Sequence, residues 1–402
     1  MAEKDIRVVE LFAGVGGFRL GLERSSPRFK TVWANQWEPG QKKQHAFECY
    51  VHHFGESPNH VNKDIALMTS EVPEHDLLVG GFPCQDYSVA RTKAEGIVGK
   101  KGVLWWSMDK IISEKRPSFV LLENVDRLIK SPSSQRGRDF AVILRCLNDK
   151  GYAVEWRVIN AAEYGEVQKR RRTFIFAFKE GTTFFSQMKE KESMEILEKD
   201  GFFCKGFPIK SLTAEKMKTF RIDDKRYKTL VDVSDKFSDM FYNGGLMRNG
   251  FVHTAECLPI GGIEPKTLRS VLQKDVDERY FIDEEDIEKW KYMKGSKREE
   301  RIRKKDGGRY FYTEGKIPFP DSLDSPGRTM LTSEGRVNRS THIVKDGDRF
   351  RLLTPIECER MNGFVDRWTN TGMSETARYF TMGNALVVPL IEKMGETINS
   401  IF

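Results

Sequence analysis

Apolar, strand-like runs alternate with helical patterns through residues 6–178 of this 402-residue chain. The first run, residues 6–12, passes directly into Ala13-Gly14-Val15-Gly16-Gly17, and a short helical pattern follows. A strand, a glycine-rich turn and a helix form the first unit of a nucleotide-binding sheet, because glycines let the backbone approach a ligand. The alternation therefore predicts an α/β fold whose sheet carries helices on both faces.

The glycine turn departs from the dinucleotide-binding pattern G-x-G-x-x-G. Arg19 stands where the third glycine would be, so a dinucleotide pyrophosphate is less favoured than a differently shaped nucleoside ligand. A turn with a purely structural role remains the alternative at this point.

Polar side chains follow the next apolar runs at the points where each strand is predicted to end. Residues 31–35 lead into Gln36-Trp37-Glu38, and a helix is expected from about residue 39. A Trp ring suits an adenine face, and polar side chains suit ribose hydroxyls. Packing in the core is an equally open role for Trp37. Asp64-Ile65 is a further candidate contact.

The hexapeptide Gly80-Gly81-Phe82-Pro83-Cys84-Gln85 follows the apolar run Leu77-Leu78-Val79. A buried strand that breaks into a glycine turn places Cys84 at the carboxyl end of the sheet, where open α/β sheets bind their ligands. Pro83 stiffens the turn before the thiol. Cys84 is thus a candidate nucleophile, and the alternative is an inert, buried cysteine.

Two more strand ends carry polar groups. Residues 119–122 end in Glu123-Asn124-Val125, and an unpaired carboxylate buried there would be costly. A capping or salt-bridged role for Glu123 is the alternative. The basic run Gln168-Lys169-Arg170-Arg171-Arg172 leads into the strand 173–178. Alternation along a strand predicts that Arg170 and Arg172 share a face.

Composition narrows the class of protein. The formal net charge of +7 permits a polyanionic partner. The length of 402 residues predicts about two domains, and 39% hydrophobic residues suffice to build their cores. The six cysteines show no C-x-x-C pair, which argues against a metal site and a disulfide framework. No apolar run approaches the ~20 residues that a membrane span needs. We therefore expect a cytoplasmic protein without membrane contact.

The βα alternation stops near Phe178, and an irregular, loop-rich second domain is predicted from residue 185. Residues 294–305 carry seven basic and two acidic side chains, with aromatic residues on both sides. This mixture suits nucleic-acid contact, and a charged helix with aromatic anchors is an equally open interpretation. Residues 325–336 are rich in the side-chain types that hydrogen-bond to base edges.

Six motifs in this order resemble those of the DNA (cytosine-5)-methyltransferase family, and they cover about residues 1–180 and 345–402. The motifs are Glu10-Leu11-Phe12-Ala13-Gly14-Val15-Gly16-Gly17, Gly81-Phe82-Pro83-Cys84-Gln85, Glu123-Asn124-Val125, Gln168-x-Arg170-x-Arg172, Arg351-Leu352-Leu353-Thr354-Pro355-Ile356-Glu357-Cys358 and Gly383-Asn384. The resemblance implies a Rossmann-like, S-adenosylmethionine-dependent methyltransferase sheet with a smaller, β-rich target-recognition domain.

The resemblance also implies an activity: methyl transfer from S-adenosylmethionine to carbon 5 of a cytosine flipped from double-stranded DNA. S-adenosylhomocysteine would be the second product, and no metal is implied. Cys84 would add to carbon 6 of the base, and Glu123 would hold a proton at N3. Arg172 would contact the cytosine carbonyl oxygen or a nearby phosphate. Arg170 and Gln85 would complete the catalytic set.

Motif matching assigns further residues to ligands. The predicted cofactor-binding residues are Phe12, Gly14, Gly16, Gly17, Gln36, Trp37, Asp64, Ile65, Leu104, Asn384 and Ala385. The predicted DNA-binding residues are Ser88, Arg170, Arg328, Thr329 and Arg336. Gln36 replaces the acidic residue usual before the Trp, and Ala385 replaces a usual serine. We expect Gln36 to lower the affinity for the donor without changing the chemistry.

The resemblance predicts a catalytic domain at residues 1–184, a target-recognition domain at 185–345 and a return to the catalytic domain at 346–402. The expected enzyme is a monomer of the bacterial restriction-modification type, with a cognate restriction endonuclease as its functional partner. Alternatives are a tRNA cytosine-5 methyltransferase of the same family and a catalytically silent DNA-binding relative. An NAD-dependent oxidoreductase is more distant, since the third glycine is absent.

Overall fold

The computed structural model describes residues 4–82, 103–303 and 307–402. The strands are β1 (Ile6–Leu11), β2 (Phe29–Asn35), β3 (His60–Val61), β4 (Leu77–Gly81), β5 (Phe119–Val125), β6 (Tyr152–Asn160), β7 (Arg171–Lys179), β8 (Ile209–Arg221), β9 (Gly244–Arg248), β10 (Phe251–Pro259), β11 (Lys297–Ile302), β12 (Arg309–Glu314), β13 (Ile343–Asp346) and β14 (Arg349–Leu352). The helices are α1 (Gly17–Ser25), α2 (His45–Phe54), α3 (Val103–Lys115), α4 (Arg138–Asn148), α5 (Thr183–Lys189), α6 (Ser193–Glu195), α7 (Phe202–Gly206), α8 (Leu230–Lys236), α9 (Ile287–Lys294), α10 (Pro355–Met361), α11 (Glu375–Asn384) and α12 (Val388–Ile401).

The strands β1 to β10 form one sheet in the order β3-β2-β1-β4-β5-β7-β6-β9-β10-β8. In this spatial order, the first five strands, β3-β2-β1-β4-β5, are parallel to one another. From β5 onward, through β7, β6, β9, β10 and β8, each strand is antiparallel to its neighbour. The side chains of Leu77, Leu78 and Val79 are fully buried, as expected for an interior strand covered on both faces. The α/β fold class predicted from the sequence is confirmed.

The loop after β2 is longer than predicted, because helix α2 begins at His45 and not near residue 39. The Gln44 side chain accepts a hydrogen bond from the Glu38 backbone N–H at 2.8 Å and donates to the Glu38 carbonyl at 2.9 Å. These bonds offer the backbone an alternative to helical pairing, so the helix starts only after Gln44.

Residues 185–264 are more regular than the irregular, β-rich domain that the sequence predicts from residue 185, and their strands join the main sheet. Strands β9, β10 and β8 extend the sheet beyond β6, which would otherwise be its edge. The turn between β9 and β10 is Asn249-Gly250, and both residues have positive φ, at 50° and 72°. An Asn-Gly pair between two strands is a strong hairpin signal, so the sequence alone could have indicated this hairpin.

Packing divides the chain into two compact units. The larger unit comprises residues 1–164, 171–264 and 387–402, and the smaller unit comprises residues 165–170 and 265–386. The boundaries of these units differ from the predicted limits at 184 and 345, and the functional assignment of those domains stays a prediction. In the described ranges, no helix has both the length and the apolar character to cross a bilayer.

Candidate active site

The glycine turn after β1 has the strained shape of a ligand-binding turn. Phe12, Gly14 and Gly16 have positive φ values of 54°, 57° and 85°, and such a φ is uncommon for a bulky residue such as Phe12. A side chain at position 16 would put its Cβ 2.3 Å from the Phe54 ring, whereas position 14 faces open space. The turn is therefore packed on one side and open to a ligand at Gly14.

Gln36 holds this turn from the end of β2. Its Oε1 atom accepts a hydrogen bond from the Gly14 backbone N–H at 2.8 Å, while the next residue, Trp37, is 37% exposed. An open backbone turn beside an exposed aromatic ring fits a nucleoside-type cofactor such as S-adenosylmethionine. The amide of Gln36 thus supports the shape of the turn.

The other predicted cofactor residues divide between the two units. In the larger unit, Asp64 accepts a hydrogen bond from the Ala66 backbone N–H at 3.0 Å, Ile65 is buried, and Leu104 packs against the core. In the smaller unit, Asn384 ends α11 with an exposed side chain, and Ala385 is half-buried.

A buried carboxyl group on β1 lies beneath the turn, and the sequence analysis gave it no role of its own. Glu10 accepts hydrogen bonds from the Tyr50 hydroxyl at 3.1 Å and from the Arg19 backbone N–H at 3.4 Å. Burial raises the pKa of the Glu10 carboxyl to about 7. The signal that could have identified it is an acidic residue within an apolar strand, the same signal that singled out Glu123.

The end of β4 lies against the polar end of β5. Gly81 pairs with Glu123 in the parallel register, and a Cβ at Gly81 would be 3.3 Å from Glu123 Oε2. The Asn124 side chain donates to the Phe82 carbonyl at 2.8 Å. The strand that leads to the hexapeptide cysteine is therefore fixed beside a carboxylate. The predicted residues Cys84, Gln85 and Ser88 lie outside the described residues.

Glu123 forms an ion pair with Arg172 across the antiparallel pair β5–β7. The distance between Arg172 Nε and Glu123 Oε1 is 2.8 Å, and the two side chains are only 17% and 13% exposed. A carboxylate and a guanidinium so sheltered interact more strongly than an exposed pair. The structure brings together these two predicted catalytic side chains at the end of the sheet.

Arg170 does not share a strand face with Arg172, because β7 begins at Arg171. The buried Arg170 guanidinium donates to the carbonyls of Met330 and Gly383, both at 3.0 Å. All three residues belong to the smaller unit. Arg170 thus holds the backbone next to Asn384, and its predicted catalytic and DNA-binding roles stay predictions.

The three predicted DNA-binding residues of segment 325–336 differ in their surroundings. The Arg328 guanidinium pairs with Asp321 at 2.6 Å and donates to the Ser340 carbonyl at 3.0 Å. The Thr329 hydroxyl donates to the Lys169 carbonyl at 2.5 Å, and Arg336 is exposed. The contacts of Arg328 and Thr329 are structural ones within the smaller unit.

The five cysteines within the described ranges are all buried: Cys49, Cys146, Cys204, Cys257 and Cys358. Burial raises the thiol pKa of Cys146, Cys204, Cys257 and Cys358. A thiol with a raised pKa carries little thiolate at neutral pH and is a poor nucleophile. These four thiols are therefore structural.

Comparisons with known proteins agree with this geometry. The family profile of the C-5 cytosine-specific DNA methylases matches residues 6–400. The chain is 50% identical to the type II methyltransferase M.Sau3AI of Staphylococcus aureus, over 98% of this chain and 96% of that protein. It is 34% identical to the type II methyltransferase M.DsaV of Dactylococcopsis salina, over 100% and 88% of the two chains.

Solved structures show the same fold at low identity. The S. pombe Dnmt2 methyltransferase has a TM-score of 0.58 at 15% identity and covers 96% of each chain. A Spodoptera frugiperda DNMT2 mutant has a TM-score of 0.59 at 14% identity, over 98% of this chain and 100% of that one. The family match over residues 6–400 and the 50% identity to M.Sau3AI show that the chain belongs to the C-5 cytosine-specific DNA methylase family.

Proposed function

We propose that this chain is the methyltransferase of a type II restriction-modification system. It transfers a methyl group from S-adenosylmethionine to carbon 5 of a cytosine flipped out of a specific double-stranded DNA sequence, through a covalent bond between Cys84 and carbon 6. The methylation protects DNA from a cognate restriction endonuclease. The observation that carries the proposal is the Glu123–Arg172 pair, 2.8 Å apart, at the end of the strand beside β4.

The chemistry explains why a thiol and a carboxyl group are needed together. Carbon 5 of cytosine is a weak nucleophile, so the Cys84 thiolate first adds to carbon 6 and the ring gains electron density at carbon 5. A proton from the Glu123 carboxyl at N3 neutralises the charge that develops on the ring. Carbon 5 then bonds to the methyl group as the bond from that group to the sulfonium sulfur of S-adenosylmethionine breaks, which releases S-adenosylhomocysteine. Carbon 5 loses its proton to a base, and N3 returns its proton to Glu123. Expulsion of the thiolate restores the aromatic ring.

Arg172 positions the carboxyl group and completes the site. Its Nε holds Glu123 Oε1, and its Nη1 donates to the Arg171 carbonyl at 2.8 Å. These two bonds fix the plane of the guanidinium, which can then donate to the cytosine carbonyl oxygen or to a phosphate. Glu123 Oε2, which faces Gly81, is the oxygen left toward the cysteine turn.

The assignment of the nucleophile to Cys84 rests on its position in the chain. Cys84 follows Phe82 by two residues, and the Phe82 carbonyl is fixed by Asn124. The covalent chain therefore keeps Cys84 close to the strand end that carries Glu123. Four of the cysteines elsewhere are buried thiols with raised pKa values, which leaves them unsuited to this chemistry.

The turn after β1 would hold the cofactor. S-adenosylmethionine, when bound, supplies an electrophilic methyl group. The open side of Gly14 gives its backbone room to approach a ligand, and the exposed Trp37 ring provides a surface for the adenine. The Gln36 side chain keeps the turn in this shape.

The DNA substrate follows from the family and from the relatives. Flipping a base out of the duplex costs a few kcal/mol, which contacts with the rest of the DNA must offset. We assign those contacts to Ser88 and to residues 185–345, with Arg328, Thr329 and Arg336 as the proposed participants in that range. The full-length relatives are named type II methyltransferases, and we expect a monomeric enzyme.

Covalent trapping tests the proposal. The protein is incubated with S-adenosylmethionine and a 5-fluorocytosine-substituted duplex that contains its target, found beforehand by bisulfite sequencing of DNA from expressing cells. Carbon-5 fluorine cannot leave as a proton does, so the covalent complex accumulates and migrates as a larger species on a denaturing gel. The wild-type protein is expected to trap, and Cys84→Ala is expected to form no complex.

Two controls separate the outcomes. Cys257→Ala replaces a buried thiol on β10 and should trap as the wild type does. A tRNA substrate in place of the duplex should yield no methylated product. Wild-type trapping by Cys84→Ala would refute the nucleophile, whereas specific duplex binding with no methylation by the wild type would show a silent DNA-binding relative.

A further inference from the structure

The two-stranded ribbon of β11 and β12 is the part of the smaller unit whose chemistry the proposed function leaves unused. Its strands pair antiparallel from Lys297 with Glu314 to Ile302 with Arg309. Backbone bonds between Arg303 and Gly308 continue the ladder by one step. The ribbon forms a sheet of its own, separate from the ten-stranded sheet and from β13–β14.

The base of the ribbon is clamped at both of its ends. The Arg339 guanidinium donates to the Gly295 carbonyl at 3.3 Å and to Glu314 Oε2 at 2.7 Å. Lys294, which is 1% exposed, donates to the Thr341 carbonyl at 2.5 Å. Segment 339–341 therefore ties down the chain just before β11 and at the end of β12. A ribbon held in this way has a fixed base.

The two faces of the ribbon differ in exposure. Cross-strand partners lie on the same face of an antiparallel pair, so three pairs share the inner face: Lys297 with Glu314, Glu299 with Tyr312, and Arg301 with Tyr310. The first two pairs are half-buried, whereas Arg301 and Tyr310, farther from the base, are exposed. The outer face consists of six exposed side chains. They are Arg298, Glu300, Ile302, Arg309, Phe311 and Thr313.

The outer face combines exposed apolar groups with ordered cations. Ile302 is 67% exposed and Phe311 is 59% exposed, which is unusual for side chains of this size. The Arg298 guanidinium lies 4.6 Å from the centre of the Phe311 ring, and Arg309 lies 3.5 Å from Glu300. The ring and the carboxylate restrict the two arginines, so less side-chain entropy is lost when they bind.

A polyanion with a wide groove is the partner that fits this surface. The major groove of B-DNA admits a two-stranded β-ribbon, and arginines there bind phosphates or guanine edges. Apolar side chains can contact thymine methyl groups in the same groove. RNA duplexes fit less well, because their major groove is too narrow for side chains to enter.

We propose that the β11–β12 ribbon inserts into the major groove of the substrate duplex with its outer face toward the DNA, and that Arg298 and Arg309 contribute to binding. This inference rests on the proposed function, since it names a contact surface for that substrate. It adds residues other than those predicted from segment 325–336.

Binding of a fluorescently labelled target duplex by the full-length protein, followed by anisotropy at several salt concentrations, tests the ribbon. The double variant R298A/R309A should raise the Kd for DNA about tenfold or more and reduce the salt slope by about two. The KM for S-adenosylmethionine should not change.

K289A/K291A is the matched control, because it removes two exposed cations from the preceding helix α9. Both lysines are paired with acidic neighbours, Asp286 and Glu288, and the Kd should stay within about twofold of wild type. Thermal melting of each variant confirms that it is folded. A Kd for R298A/R309A equal to that of the control, or a loss of affinity for tRNA without a loss for the duplex, overturns the inference.

Failure of the ribbon and failure of the proposed function give different results. If the wild type traps on the 5-fluorocytosine duplex and R298A/R309A binds DNA as tightly as wild type, only the ribbon inference is wrong. If the wild type fails to trap, the proposed function is wrong, whatever the anisotropy shows.

Discussion

Two arginines only two residues apart serve different units of this molecule. Arg172 pairs with Glu123 in the larger unit, whereas Arg170 binds the carbonyls of Met330 and Gly383 in the smaller unit. Gln168, in the same motif, also bonds within the smaller unit, to Asn362 and to the Met330 backbone N–H. A short motif can thus contain one residue of the proposed catalytic site and two residues that bond within another unit.

The difference between the two arginines follows from their backbones. Arg172 lies within β7, whose register with β5 fixes its distance to Glu123. Arg170 lies before the strand, where no register applies, and its side chain is used to satisfy buried carbonyls. Such carbonyls need hydrogen-bond donors because burying them unpaired is costly.

The largest effect is expected from a change at Glu123, the partner of Arg172, that removes the carboxyl proton. Glu123→Gln should reduce kcat by about 100- to 10,000-fold, the usual range for a general acid or base. Single-turnover methylation at saturating DNA and S-adenosylmethionine measures it. Asp126→Asn is the matched control, since Asp126 pairs with Arg171 at 3.6 Å in an exposed position. A loss in Asp126→Asn as large as that in Glu123→Gln would contradict the assignment.

Replacing each of the two arginines with alanine, one at a time, tests whether their roles are separate. Arg170→Ala should lower the free energy of unfolding by about 3 kcal/mol, because it leaves two buried carbonyls without this donor. Arg172→Ala should lower it by about 1 kcal/mol and should instead reduce turnover. Urea unfolding and kcat are measured on both variants. Equal stability losses in the two variants would break the comparison.

Glu10 extends the comparison to a buried carboxyl group. Whereas Glu123 forms an ion pair with Arg172, the hydrogen-bond donors to Glu10 within the described ranges are the Tyr50 hydroxyl and the Arg19 backbone N–H. Its pKa is about 7 in the folded protein and 4.5 ordinarily. Between these pH values the native state holds more protons than the unfolded state, so this stabilisation is complete below pH 4.5 and is lost as the pH rises through 7.

Urea unfolding at pH 5 and pH 8 measures this dependence. Glu10→Gln stays neutral throughout, so wild type should lose about 2 kcal/mol more than the variant over that interval. Glu155→Gln is a useful parallel, because burial also raises the pKa of Glu155 to about 7. Identical pH dependence in wild type and Glu10→Gln would show that Glu10 is ionised in the fold.

The smallest expected effect concerns the glycine turn. Gln36→Ala removes the acceptor for the Gly14 N–H, and a hydrogen bond of this kind contributes about 1 kcal/mol. The Kd for S-adenosylmethionine, measured by calorimetry, should therefore rise about fivefold. Gln41→Ala, at an exposed position of the same loop, should leave the Kd unchanged. An unchanged Kd in Gln36→Ala would remove Gln36 from the cofactor site.

The sequence predicts most reliably where pairing of strands limits the outcome. The apolar runs at β1, β4 and β5 and the polar residues at their ends could be assigned because the carboxyl ends of parallel strands meet at one edge. Glu123 was predicted on this basis, Arg172 was predicted from the basic run before the next strand and from the motif resemblance, and the structure places the two side chains together. Cys84 lies outside the described residues, and its role stays a prediction.

Prediction was weakest where residue type alone had to indicate function. Arginine is a residue type that reads base edges, yet the Arg328 guanidinium forms an ion pair with Asp321 and donates a hydrogen bond to the Ser340 carbonyl. The main chain of segment 325–336 has no regular period, so the sequence could not indicate which side chains point outward. For residues 209–259 the sequence indicated β structure but not the strand bounds or their place in the main sheet, because exposed lysines and glycines mask the alternation, although Asn249-Gly250 marked the hairpin.

The division of the chain bears on how such enzymes could exchange target specificity. Residues 185–264 belong to the body that contains the sheet, so a graft cut at residue 185 would remove β8 to β10 and leave β6 as an unpaired edge prone to aggregation. A graft of residues 265–386 would keep that sheet whole. It would also need Gly165–Arg170 from the donor protein, because Gln168 and Arg170 bond within the transplanted body. Any transplant of the smaller unit therefore has to carry two separate segments of the chain, residues 165–170 and 265–386.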